Sequence, residues 1–145
     1  MPVRVSVDIE AAPEGVWEEV RHIERHVEWM ADAVAIRFTS TRRSGVGTTF
    51  DCETKVGPIS LTDRMEITEW RDEDAMGVRH VGVVTGRGLF TLTRSGSGTT
   101  FTWEETLSYP WWLGGRVGGL VGDRVMAGVW RRNLRRLKAQ VERPG

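Results

Sequence analysis

The chain opens on a strict alternation. Val3, Val5, Val7 and Ile9 are apolar while Arg4, Ser6, Asp8 and Glu10 are polar, the two-residue period of a half-buried strand. Ala11-Ala12-Pro13-Glu14 breaks that period and predicts a helix start. Proline is tolerated in a first helical turn, and a glutamate there meets the positive end of the helix dipole. Val16, Trp17 and Val20 give this helix its apolar face, and Ile23, Val27, Trp29 and Met30 predict a second short helical stretch. From Val34 the period returns to two. Val34, Ile36 and Phe38 mark one strand, followed by the turn Ser44-Gly45-Val46-Gly47. Phe50, Cys52, Thr54 and Val56 share a face on the next, and Gly57-Pro58 is a tight turn. Further strands are expected over Ile59–Trp70, Met76–Val84, Gly88–Thr93 and, after Ser95-Gly96-Ser97-Gly98, Thr99–Leu107. Turns this short join antiparallel neighbours, so the pattern predicts a meander.

The last third changes period again. After Tyr109-Pro110 a single helix is expected from near Trp111 to near Val141, where Arg143-Pro144-Gly145 stops it. Val117, Val121, Val125, Met126, Val129, Trp130, Leu134, Leu137 and Val141 fall at helical spacing, with Arg131, Arg132, Arg135, Arg136 and Lys138 on the other side. A β-rich domain closed by one long helix uses that helix to cover the concave face of its sheet. The enclosed space is where a ligand goes.

Several segments carry a family likeness. Ala12-Pro13-Glu14-Gly15-Val16-Trp17 with Glu28-Trp29, then Ile67-Thr68-Glu69-Trp70, Gly98-Thr99-Thr100-Phe101, Trp103-Glu104-Glu105, and Leu134 through Glu142 resemble the opening helices, strand signatures and terminal helix of the START-like (SRPBCC) superfamily. The likeness covers essentially the whole chain and is nearest to the polyketide cyclase/dehydrase-like branch. It implies an α+β helix-grip fold: a curved antiparallel sheet of six or seven strands wrapped around a long C-terminal helix, with two short helices after the first strand. Members of the superfamily bind lipids, hormones, polyketides or quinones, cyclise aromatic polyketides, or serve as protein partners, so the fold alone leaves the function open.

Composition narrows the setting. A chain of 145 residues fits one domain spanning 1–145. The 20 basic and 20 acidic residues cancel, which gives no whole-molecule attraction to nucleic acid or to an anionic membrane. Cys52 is the only cysteine, so no internal disulfide can form and a cytoplasmic location is expected. No segment has the length and apolarity of a membrane span, and stable membrane insertion is not expected. The expected partner is a small hydrophobic ligand, held by a monomer or homodimer, with no cofactor.

Strand period then selects the residues that could do chemistry. With Ile59, Leu61, Met65 and Ile67 turned inward, Asp63 is inward too, and Phe101, Trp103, Leu107 and Tyr109 likewise carry Glu105 in. A buried carboxylate must be paired, neutralised or in contact with a ligand. His80 shares a face with Met76 and Val78, which suits either a general base or a satisfied core histidine. His22 and His26 are four apart, the spacing of two metal ligands on one helix, but with Glu24 out of place for a zincin motif a surface pair is expected and no metal. Gly114, Gly115, Gly118, Gly119 and Gly122 do not match a dinucleotide loop; they allow either close packing or a pliable gate. The basic run from Arg131 to Lys138 reads as a solvated helix face. Seven tryptophans against one tyrosine favour a wide pocket for a flat apolar molecule.

The ligand-binding set expected from these arguments is Leu61, Asp63, Met65, His80, Phe90, Trp103, Glu105, Val121, Val125 and Trp130. Three functions remain open: a binder of a hydrophobic ligand, a polyketide aromatase/cyclase-like enzyme using Asp63, His80 or Glu105 as acid/base groups, and a ligand-free interaction module.

Overall fold

Hairpin turns decide the topology. The computed structural model describes residues 2–113 and 115–143, apart from the side chains of residues 113 and 115–118. Seven strands, β1 (Val3–Ile9), β2 (Ala33–Phe38), β3 (Thr49–Val56), β4 (Ile59–Arg71), β5 (Ala75–Val81), β6 (Thr85–Ser95) and β7 (Gly98–Ser108), form one antiparallel sheet. Their order is β1-β7-β6-β5-β4-β3-β2, a meander from β2 to β7 with β1 added beside β7. The β6–β7 turn needs a left-handed backbone at Gly96 (φ 60°), which glycine adopts without a steric penalty.

Helix α1 (Pro13–Val20) follows β1 and buries Pro13, Val16, Trp17 and Val20. A 3-10 helix at Ile23–Glu28 comes next. Helix α2 (Gly115–Glu142) starts later than expected, because Trp111–Leu113 forms a separate 3-10 turn after Pro110. α2 lies along β1 and β7 and touches α1. Its C-terminal half is the anchor: Trp130, Leu134 and Leu137 are buried against Val5, Ile9, Val16 and Phe101 in one core cluster. Lys138 donates to the Asp8 carbonyl at 2.8 Å and Glu142 accepts from the Glu10 amide at 2.7 Å, fixing the helix end to β1. No described helix is long and apolar enough to cross a membrane.

Two bulges correct the simple alternation. The β2–β3 register shifts between Ala33 and Ala35, so Ala33 is buried and Val34, expected inside with Ile36 and Phe38, is 57% exposed. The β4–β5 register shifts between Ile67 and Glu69, which leaves Thr68 unpaired and brings Trp70 edge-on to Trp17, with ring centroids 5.2 Å apart. Bulges add twist and bend a strand. The expected strand Met76–Val84 also stops at Val81, and β6 is already under way at Thr85.

Candidate functional site

The helix covers only part of the sheet it faces. Between α2, the 3-10 helix at Ile23–Glu28 and strands β2 to β7 lies a cavity of about 600 Å³, partly open to solvent. Its walls are mainly apolar, built from inward residues such as Ile36, Phe50, Leu61, Met65, Ile67, Met76, Val78, Phe90 and Leu107. The ten residues singled out above, Leu61, Asp63, Met65, His80, Phe90, Trp103, Glu105, Val121, Val125 and Trp130, all lie on its wall. They differ in depth. Trp103 and Trp130 are buried and stacked, centroids 5.1 Å apart and planes 25° from parallel, whereas Val121 and Val125 are 62% and 48% exposed and mark the mouth.

The polar residues of the wall form a row across the sheet. The register pairs Cys52 with Asp63, Met65 with His80, His80 with Gly86 and Gly88 with Glu105, so Asp63, His80 and Glu105 sit on β4, β5 and β7 facing one space. Gly88 makes room for the last of them: a Cβ there would lie 2.7 Å from Glu105 Oε1. The Trp103 indole donates to Glu105 Oε1 at 3.1 Å, and His80 Nε2 stands 3.3 Å from Glu105 Oε2. That contact is an ion pair when the His80 ring is protonated, set off the line of a good hydrogen bond, and neither ring nitrogen of His80 has a hydrogen-bond partner among the described residues. Thr54 donates to Asp63 Oδ2 at 3.1 Å, and Oδ1 is left without a partner.

These surroundings shift the titrations. Burial is the largest influence on His80 and pushes it down, but the close contact with Glu105 and the charges of Glu105 and Asp63 together raise it above its ordinary value. Asp63 is raised, chiefly by burial, with His80 and Thr54 pulling it back in part. Burial pushes the Cys52 thiol up to about 12, which makes it a wall residue rather than a nucleophile.

The sequence missed three polar groups in this region. Asp32, at the turn before β2, lines the cavity and accepts from Asn133 Nδ2 at 2.7 Å, while Asn133 Oδ1 accepts from the Ala31 amide at 3.0 Å. Burial raises Asp32 against that hydrogen bond. Asn133 stands between Trp130, Leu134 and Leu137 in the apolar stripe of α2, a polar interruption that was readable in the sequence. Nothing in the sequence distinguished Asp32 from a solvated turn residue.

His26 is the third, and it corrects the expected surface pair. It is buried, lines the cavity, and its Nε2 donates to the Val20 carbonyl at 2.7 Å. The reason is the helix type. With three residues per turn, Ile23, His26 and Trp29 share a face, and His22 turns outward toward Glu18 and Glu24. The two histidines therefore have no common face for a metal.

The glycine stripe is partly accounted for. A Cβ at Gly122 would lie 3.1 Å from the Tyr109 hydroxyl and one at Gly119 would lie 3.4 Å from its ring, so both let the tyrosine lie against α2. Gly114 and the side-chain surroundings of Gly115, Val117 and Gly118 lie outside the described residues. Of the tryptophans, Trp17, Trp29, Trp103 and Trp130 are buried, and Trp111 and Trp112 are exposed beside α2. On the polar side of α2, Arg131, Arg132, Arg135 and Arg136 are exposed or lie at the helix surface.

Solved structures share this architecture. TTHA0849 from Thermus thermophilus superposes with a TM-score of 0.82 at 19% identity, covering 97% of each chain. The di-domain ARO/CYC BexL from the BE-7585A biosynthetic pathway gives 0.81 at 12% identity, the chain matching 51% of it. MLL2253 from Mesorhizobium loti gives 0.72 at 16% identity, over 97% and 96% of the two chains. At such identities these likenesses speak for the helix-grip fold alone. Comparison with curated proteins gives no match. The family model described as polyketide cyclase/dehydrase and lipid transport, however, matches residues 2–142, and with nearly the whole chain inside it, the chain belongs to that family.

Proposed function

We propose that the chain binds a small, flat and largely apolar molecule between the sheet and α2. The observation that carries this reading is the cavity. Its volume of about 600 Å³ falls in the range of small-molecule sites, roughly 300–1,000 Å³. Its walls are apolar, and the chain's own tryptophans do not fill it, which argues against a ligand-free interaction module. The ten wall residues named above are the proposed contacts, with the Trp103–Trp130 stack offering a flat surface. The lone Cys52 supports a reducing, cytoplasmic setting.

A second reading has an observation of its own. The His80–Glu105 pair beside Asp63 is an acid/base set in a largely apolar space, suited to general acid/base work in an aldol-type step of a polyketide aromatase/cyclase-like enzyme. The family and the ARO/CYC relative are compatible with both readings.

Titration with a hydrophobic fluorescent probe tests the binding reading. Saturable binding that changes tryptophan emission is expected, altered by Trp103→Phe and unaffected by Arg135→Ala. Absence of saturable binding would overturn it. Native mass spectrometry of the purified protein should show a co-purified small molecule. The enzyme reading requires that Asp63→Asn or Glu105→Gln abolish product formation while binding persists; the binding reading requires only a modest change in affinity.

A further inference from the structure

We propose that the polar end of the ligand is a neutral hydrogen-bond donor, a hydroxyl or phenol on an otherwise apolar ring system, received by Asp63 and His80 on the cavity wall. This rests on the cavity-binding reading above and specifies its ligand. The first support is the unpaired polar surface. His80 is only 6% exposed and neither ring nitrogen has a hydrogen-bond partner among the described residues, and the same holds for Asp63 Oδ1. The large majority of buried polar groups in native proteins are satisfied by protein or by water, so groups left unpaired on a cavity wall mark where an entering partner, water or a ligand's polar group, is received.

The second support is which partners are already taken. Asp32 is held by Asn133 and Glu105 Oε1 by the Trp103 indole. Asp63 accepts one bond, from Thr54, and keeps acceptor capacity to spare. The third is charge. Among the described residues the cavity is lined by the carboxylates of Asp32, Asp63 and Glu105 and by no lysine or arginine. An anionic head such as a fatty-acid carboxylate or a phosphate would be brought against three carboxylates, and the His80 ring, which can carry positive charge, already stands 3.3 Å from Glu105 Oε2. An ammonium would lose its hydration shell to reach carboxylates already held by Asn133, Trp103 and Thr54, and would stand beside the His80 ring, itself 3.3 Å from Glu105 Oε2 and able to carry the positive charge these carboxylates favour. A hydroxyl meets none of these costs: it donates to Asp63 and accepts from His80.

Four probes sharing one ring decide it: pyrene, 1-pyrenemethanol, 1-pyrenemethylamine and 1-pyrenecarboxylate, titrated by their own fluorescence at neutral pH. The alcohol should bind about tenfold tighter than pyrene, the effect of one buried hydrogen bond, and the carboxylate weaker than both. Asp63→Leu should cut the alcohol's advantage over pyrene, leaving at most the His80 contact. A carboxylate or amine that binds as tightly as the alcohol would overturn the inference, as would an advantage that survives Asp63→Leu undiminished. The wild-type ranking decides the matter alone if that variant does not fold. If pyrene saturates and the alcohol gains nothing, only this inference falls. If pyrene itself does not bind, the cavity-binding reading falls and takes the inference with it.

Discussion

The buried His26 ring should make folding stability depend on acid in a way that one substitution isolates. Burial is the main cause of its lowered pKa, from an ordinary 6.5 to about 4, and it outweighs the opposing effects of the Val20 carbonyl and Glu24. Below pH 6.5 the unfolded chain takes up a proton at this position while the folded chain does not, so stability falls as pH falls, until the folded ring also protonates near pH 4. At roughly 1.4 kcal/mol per pH unit over that window, the loss from this group alone is on the order of 3 kcal/mol. The total profile mixes several signs. His80 is raised, so its contribution is fully present below its unfolded value and is lost as pH rises through its folded value. Asp32 and Asp63 are also raised, and their cost to folding is relieved as pH falls. The useful quantity is therefore the difference between wild type and His26→Gln, which keeps an N–H for Val20 but does not titrate. Urea unfolding of both proteins from pH 7 to pH 4 measures it. The gap should shift by about 3 kcal/mol in favour of the variant toward acid. Two profiles that run parallel would show that protons reach the ring in the folded state, and the burial argument would be wrong.

Leu137, fully buried on α2, should cost about 2–5 kcal/mol as Leu137→Ala in chemical denaturation, whereas the exposed Arg135→Ala should change stability by less than about 0.5 kcal/mol. Gly122→Ala should gain up to about 1 kcal/mol of helix propensity only when Tyr109 is shortened, because the new Cβ meets the tyrosine ring at 3.1 Å; a double-mutant cycle of Gly122→Ala with Tyr109→Leu that shows no coupling would refute that contact. Gly88→Ala should displace Glu105, lose about 1–3 kcal/mol through overpacking, and move the NMR titration of His80 downward as its partner withdraws.

What could be read in advance follows from how far each signal depends on local geometry. The inward row Leu61, Asp63, Met65 and Ile67 was legible because a strand without interruption keeps a period of two. Val34 was misplaced because a bulge inserts one residue and flips the face, and no residue type announces it. His26 was misplaced because a 3-10 turn replaced an α turn, changing which neighbours share a side. The cavity wall on α2 was legible as a stripe, but its depth was not. Trp130 is sealed and Val121 open because the helix packs along β1 and β7 through its second half, a tertiary fact absent from helical spacing. The Asp32–Asn133 bond joins residues about a hundred positions apart, and only the Asn133 half left a mark in the pattern.

The pairing of β1 with β7 has a consequence for how the molecule is made. Val3 lies opposite Glu105 and Ile9 opposite Thr99, so β1 leaves the ribosome about a hundred residues ahead of its hydrogen-bonding partner. Until that partner emerges the β7-facing edge of β1 is unpaired, and Val5 and Ile9 lack the Phe101 side of their core cluster. Closing so long a loop adds little to the equilibrium cost, because that cost grows only with the logarithm of loop length. The rate is affected far more, since distant pairings slow folding and lengthen the life of aggregation-prone intermediates. The open edge of β1 is thus paired once residues 98–108 clear the exit tunnel, while Val5 and Ile9 are fully covered only when Trp130, Leu134 and Leu137 of α2 follow.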